Sequence, residues 1–247
     1  MKSIIEPVGR RNFLKTAAAF TSGMAGLSLL PSVAYPRSIT SDPDKPSGDN
    51  DTTSGTDMSM VNDTFGDDDI NIIGPKEGYS PQIGTLVSMM TWMRMVMESS
   101  VKGMKMEQLD FLLDNKANTV GAMMYHLAAT DAFYHAHTFG GVKWGGWDKS
   151  LEAKFGVAME LGDAGRKNIK GNNLDFYLNL LKETRESTLA EFRKRDDKWL
   201  MSIDKEWPWG PTNNYCKWFH VCEHESNHNG QIKFLKSRMP GTVAGKE

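Results

Sequence analysis

Apolar residues recur every three or four positions in four long stretches of this chain, and no stretch alternates apolar and polar residues over strand length. The first stretch opens with Ser80-Pro81 as cap and first-turn proline, and sets Ile83, Leu86, Val87, Met90, Met97 and Val101 on one stripe. The second follows Asn118 and carries Val120, Met123, Leu127, Thr130 and Tyr134 until Gly140-Gly141 stops it. The third runs from about Leu174 through Tyr177, Leu178, Leu181, Thr188 and Phe192 to near Trp199. The fourth covers roughly Thr212 to Arg238 and closes at Pro240-Gly241. Between the second and third lies a connection containing Trp144-Gly145-Gly146-Trp147. Four amphipathic helices with one long middle connection predict an all-α four-helix bundle over residues 75–241, with 242–247 as a tail.

The N-terminal third has a different pattern. Residues 35–74 are rich in Asp, Ser, Thr, Gly and Pro, and too poor in large apolar residues to bury a core, so they read as a disordered acidic linker. Ahead of it, Arg10-Arg11-Asn12-Phe13-Leu14-Lys15 precedes an uncharged stretch from Thr16 to Leu30 and a small-x-small site at Ser32-Val33-Ala34. That stretch is shorter than the ~20 residues of a spanning helix. Residues 1–34 resemble a twin-arginine export signal, with Arg10 and Arg11 as its paired arginines and Gly9 where Ser or Thr is commoner. The resemblance implies export to the periplasm or the exterior by the twin-arginine translocase. That route carries folded proteins, often with a cofactor already bound.

Composition narrows the classes further. Of 247 residues, 39% are apolar and 24% charged, which excludes a polytopic membrane protein and a wholly disordered chain. A net charge of -2 supplies no basic field to recruit nucleic acid. Cys216 and Cys222 fall on one helix about 120° apart in rotation, so they read as free thiols. The run Met89, Met90, Met93, Met95, Met97 reads as core rather than a copper site. The paired tryptophans Trp144, Trp147 and Trp207, Trp209 suit either a packed loop or the wall of a pocket for an apolar or aromatic ligand. No phosphate loop, dinucleotide fingerprint or nucleophile elbow occurs.

The chemistry concentrates in the histidines. All six lie in two of the predicted helices: His126, His135 and His137 in the second, His220, His224 and His228 in the fourth. Residues four apart are neighbours on a helix, so His224 and His228 direct two imidazoles at one point. His126, at the edge of its apolar stripe, is the best third partner. His137 lies about 16 Å further along the same face, and His220 is about 12 Å from His228, too far to share one ion with it. His220 therefore reads as an outer or mouth residue. Gln231, Asp131, Glu223 and Glu225 are candidates to orient an imidazole or move a proton.

The segments Met104 to Phe111, Asn118-Thr119-Val120-Gly121 leading into Tyr125-His126-Leu127-Ala128, Trp218-Phe219-His220-Val221-Cys222-Glu223-His224 and His228-Asn229-Gly230-Gln231-Ile232 together resemble the DinB-like superfamily over roughly residues 80 to 240. The resemblance implies an up-down-down-up bundle holding a metal by His126, His224 and His228. It differs at Asn227-His228-Asn229, where many relatives have His-His-Arg. Three histidines leave positions open for water or substrate, as a catalytic site requires, and neutral imidazoles suit zinc, nickel or iron. The expectation is an exported metal-binding protein, a transferase or hydrolase acting on a small molecule; the alternative is a non-catalytic metal- or ligand-binding bundle. Relatives include transferases and isomerases that use low-molecular-weight thiols, which are mainly cytoplasmic. A homodimer is compatible with the Met and Trp content, and the sequence does not decide it.

Overall fold

The computed structural model describes residues 70–242, all within the compact unit spanning 63–247. The signal with Arg10 and Arg11, most of the linker and residues 243–247 lie outside the described residues. Four long helices dominate: α1 (Pro81–Val101), α3 (Val120–Thr138), α6 (Leu174–Phe192) and α8 (Asn214–Lys236). Short helices α2 (Met106–Leu109), α4 (Lys149–Glu160), α5 (Gly162–Asn168) and α7 (Asp197–Leu200) fill the connections. Among the described residues, no helix is long and apolar enough to cross a membrane.

Polar residues start each long helix by satisfying its orphan N–H groups. Thr119, Asn173 and Asn213 accept from the backbone N–H of Ala122, Phe176 and Cys216. The N-terminus of α1 is capped from a distance: Asp197 of α7 accepts from the Ser80 hydroxyl at 2.6 Å and from the N–H groups of Gln82 and Ile83 at 3.1 and 3.2 Å. A carboxylate there also meets the positive end of the helix dipole.

The core falls into two clusters, and these give the helix directions. Ile83, Leu86 and Met90 of α1 belong to the same cluster as Tyr134, Phe192, Trp218 and Val221. Met97 and Val101 belong to the other, with Val120, Met123, Tyr177, Leu181, Ile232 and Leu235. Helices α1 and α8 therefore run one way and α3 and α6 the other, which is the up-down-down-up order. The parallel pair α3 and α6 needs a crossover, supplied by residues 139–173. These two helices approach so closely at Gly121 that a Cβ there would lie 2.7 Å from the Tyr177 ring.

Three local expectations are corrected. The middle connection is partly helical: α4 is capped by Asp148, which accepts from the N–H groups of Ser150 and Leu151. The third long helix stops at Phe192 instead of near Trp199, because Asp196 accepts from Trp199 N–H and starts α7 separately. The fourth begins at Asn214, behind a two-residue antiparallel pair that joins β1 (Ile203–Asp204) to β2 (Thr212–Asn213).

Candidate metal centre

Helix α8 presents His224 and His228 one turn apart, and α3 brings His126 against them. The Nε2 atoms of His126 and His224 are 2.8 Å apart, and those of His228 and His224 are 3.1 Å apart. Every ligand nitrogen of the three lies within 4.8 Å of the others. His126 and His228 are buried and His224 is half-buried.

Their hydrogen bonds fix which nitrogens carry protons. His126 Nδ1–H donates to the Ala158 carbonyl of α4 at 2.9 Å, and a carbonyl only accepts, so Nε2 carries a lone pair. His228 Nδ1–H donates to Gln231 Oε1 at 3.2 Å, with the same consequence. Two lone pairs thus face His224 Nε2, which holds one proton at most. At most one of the two short contacts can then be a hydrogen bond, and the other leaves a buried imidazole lone pair without a proton to accept. A divalent cation resolves this by accepting all three lone pairs. Zinc–imidazole bonds of about 2.0–2.1 Å set nitrogens about 3.3 Å apart in a tetrahedral site, so the two short edges at His224 fit after a small expansion.

Electrostatics keep the imidazoles in the form a metal needs. Burial lowers the pKa of His126 to about 4, against the opposing hydrogen bonds of the Ala158 and Met159 backbone. Burial also lowers that of His228, to about 3, aided by the charge His126 would carry. His224 is pushed down to about 2, by burial first and then by its three histidine neighbours. All three are neutral at physiological pH.

This has a measurable consequence in the metal-free protein. Unfolded imidazoles take up protons near pH 6.5, whereas the folded ones resist until about pH 4 or below. Between those values the unfolded chain binds more protons, so stability falls as pH drops below about 6.5, by up to about 1.4 kcal/mol per pH unit for each histidine. Urea unfolding at pH 7.5, 6.0 and 5.0 is expected to show this loss, and a His224→Ala, His228→Ala double variant to lack most of it. Parallel profiles for the two proteins would contradict the assignment.

The other candidate residues are placed as follows. Gln231 holds His228 as described. His220 stands beside the triad, its ring centroid 5.4 Å from that of His224 and 4.8 Å from Trp209, and its Nδ1 3.3 Å from Glu223 Oε2. Asp131 and Glu225, expected near the imidazoles, instead meet arginines. Arg185 Nε donates to Asp131 at 2.9 Å and its Nη2 to Glu225 at 2.9 Å, while Arg94 Nε donates to Glu225. Thr188 donates to Asp131 at 3.0 Å, and the two guanidinium groups also reach the carbonyls of Met90 and Leu181. This buried, charge-balanced quartet joins all four long helices. The sequence reading passed over Arg94 and Arg185; the available signal was their position inside apolar stripes, between Met90 and Met97 and between Leu181 and Thr188. His137 lies elsewhere, with its Nδ1 2.7 Å from the Val142 carbonyl and its Nε2 2.9 Å from the buried Lys217 ammonium.

Comparison with known proteins agrees with this arrangement. Among solved structures the chain is similar to one titled the conserved protein of locus from Enterococcus faecalis, at 12% identity and a TM-score of 0.51, covering 64% of this chain and 96% of that one. At that identity the likeness speaks for the fold alone. Curated proteins give no match. Residues 85–241, well over half of the chain, match the family model described as mycothiol-S-transferase. The DinB-like fold is shared by the family so matched, the buried three-histidine group is seen in this chain itself, and the chain belongs to the mycothiol-S-transferase family.

Proposed function

We propose that this protein is a metal-dependent transferase in which His126, His224 and His228 hold a divalent ion and a small thiol is the nucleophile. The observation that carries the reading is the convergence of three neutral imidazoles whose lone pairs are not all satisfied without a cation. A bound zinc, nickel or iron ion would supply Lewis acidity, lowering the pKa of a thiol or water that shares its coordination sphere.

The protein's own residues favour a thiol over water. Water starts near pKa 15.7 and must be brought down much further than a thiol, and the buried carboxylates Asp131 and Glu225, committed to arginines, add no base to help it. A thiol starts near pKa 8.5 and needs far less help. The Ala158 carbonyl and Gln231 hold two of the imidazoles in one tautomer, which fixes their rings before substrate arrives. His220, steadied by Glu223, is the titratable side chain beside the triad that is placed to take up the thiol proton.

The test is consumption of an electrophilic reporter such as monochlorobimane by a panel of small thiols that includes mycothiol. The expected result is catalysis by the metal-loaded protein, falling at least about 100-fold in His228→Ala. Equal rates from loaded and chelated protein would overturn the transferase reading.

Export by the twin-arginine route is part of the proposal and rests on Arg10 and Arg11 with the uncharged stretch behind them. The substrate thiol is then one available beyond the cytoplasmic membrane. In cell fractionation, Arg10→Lys with Arg11→Lys is expected to hold the precursor in the cytoplasm; unchanged export would contradict the signal assignment.

A further inference from the structure

We propose that the cavity between α3, α4 and α5 is a binding site for an organic cation with an aromatic or alkyl body. The cavity measures about 370 Å³ and is lined by Phe133, Trp147, Val157 and Met159, with Glu152 and Glu160 among its walls. That volume is in the range of small-molecule sites. Trp147 stands edge-on to the buried Phe133 ring, with centroids 4.5 Å apart, forming an aromatic surface on one side.

The charged groups select the ligand. Glu152 and Glu160, both exposed at its edge, are the charged residues of the lining, and among the described residues neither carboxylate shows a hydrogen bond or ion pair. Lys154, on the turn of α4 between them, reaches away to Glu183 of α6 at 2.9 Å. An apolar cavity with an aromatic surface and two exposed carboxylates at its edge complements an ammonium or quaternary ammonium group carried on an apolar body. An anion meets repulsion there, and a neutral ligand gains only the apolar part.

The backbone reverses sharply between the lining residues Glu160 and Ala164. Leu161 takes φ 54° and ψ -135°, a conformation that is costly for a residue with a Cβ, and the glycine after it has φ 59°. The reversal starts α5 at once and returns Ala164 against the cavity. The site is independent of the metal reading, although Met159 and Glu160 directly follow the residue whose carbonyl orients His126.

The test is isothermal titration of the metal-free full-length chain with 3-phenylpropylammonium, 3-phenylpropan-1-ol and 3-phenylpropanoate. The expected order is ammonium tightest, by about tenfold over the alcohol, with the propanoate weakest. Glu152→Gln with Glu160→Gln is expected to bring the ammonium down to the alcohol and leave the alcohol unchanged. Val157→Trp, at an exposed position, is expected to block both by filling the cavity. Ammonium binding no tighter than the alcohol, or binding indifferent to these substitutions, would overturn the proposal.

Discussion

Glu225→Gln is expected to lower the folding free energy by about 3–5 kcal/mol, a large part of the total for a domain of this size. Glu225 and Asp131 are buried with Arg94 and Arg185, two charges of each sign. Burial works against the charged form of Arg185, yet Asp131 and Glu225 outweigh it and raise its pKa. Removing one carboxylate charge leaves two guanidinium groups facing Asp131 alone, and sets an amide N–H where an acceptor had been. The cost therefore comes from the uncompensated cation rather than from one lost contact. Arg94→Met added to Glu225→Gln restores the balance, with Arg185 and Asp131 left as a pair, and is expected to recover most of the loss. Urea unfolding of the wild type, both single variants and the double variant closes the cycle. Additive losses would show that the four groups do not act together.

This quartet also marks how far the sequence could be read. The long helices and the pairing of His224 with His228 follow from local periodicity and from one-turn spacing, whereas His126, 98 residues from His224, is indicated by its place at the edge of an apolar stripe and by the resemblance to the DinB-like superfamily. Asp131 and Glu225 sit close in sequence to those histidines, so they read as outer partners of the imidazoles. Their true partners lie on α1 and α6, about 37 and 54 residues before and after Asp131, and no local pattern encodes such a meeting. The orienting group for His126 was equally hidden, because it is the backbone carbonyl of Ala158, which any residue could supply. Helix α4 carries Gly156 and is followed by Gly162 and Gly165, which blur its helical signal and hid it in a connection marked by tryptophans.

The second large effect concerns the metal. A ligand present at about 1,000 times its Kd stabilises the folded state by about 4 kcal/mol, so chelation is expected to lower the Tm by roughly 8–16 °C for a domain of this length. His224→Ala is expected to abolish that shift. In the metal-free protein, however, the same substitution removes the imidazole whose Nε2 faces two lone pairs, and is expected to leave stability unchanged or raised. Ordinary truncation of a packed side chain would instead destabilise both forms. Calorimetry of wild type and variant, each with and without chelator, distinguishes the two: a drop in the metal-free variant like that of any core truncation would count against a metal centre.

The central claim is tested most directly by elemental analysis of the full-length protein, purified without an affinity histidine tag beside the His224→Ala, His228→Ala variant. The account predicts close to one equivalent of zinc, nickel or iron in the parent and its loss in the variant. A parent that stays free of metal after exposure to each of these ions would contradict the metal centre and the transferase chemistry built on it.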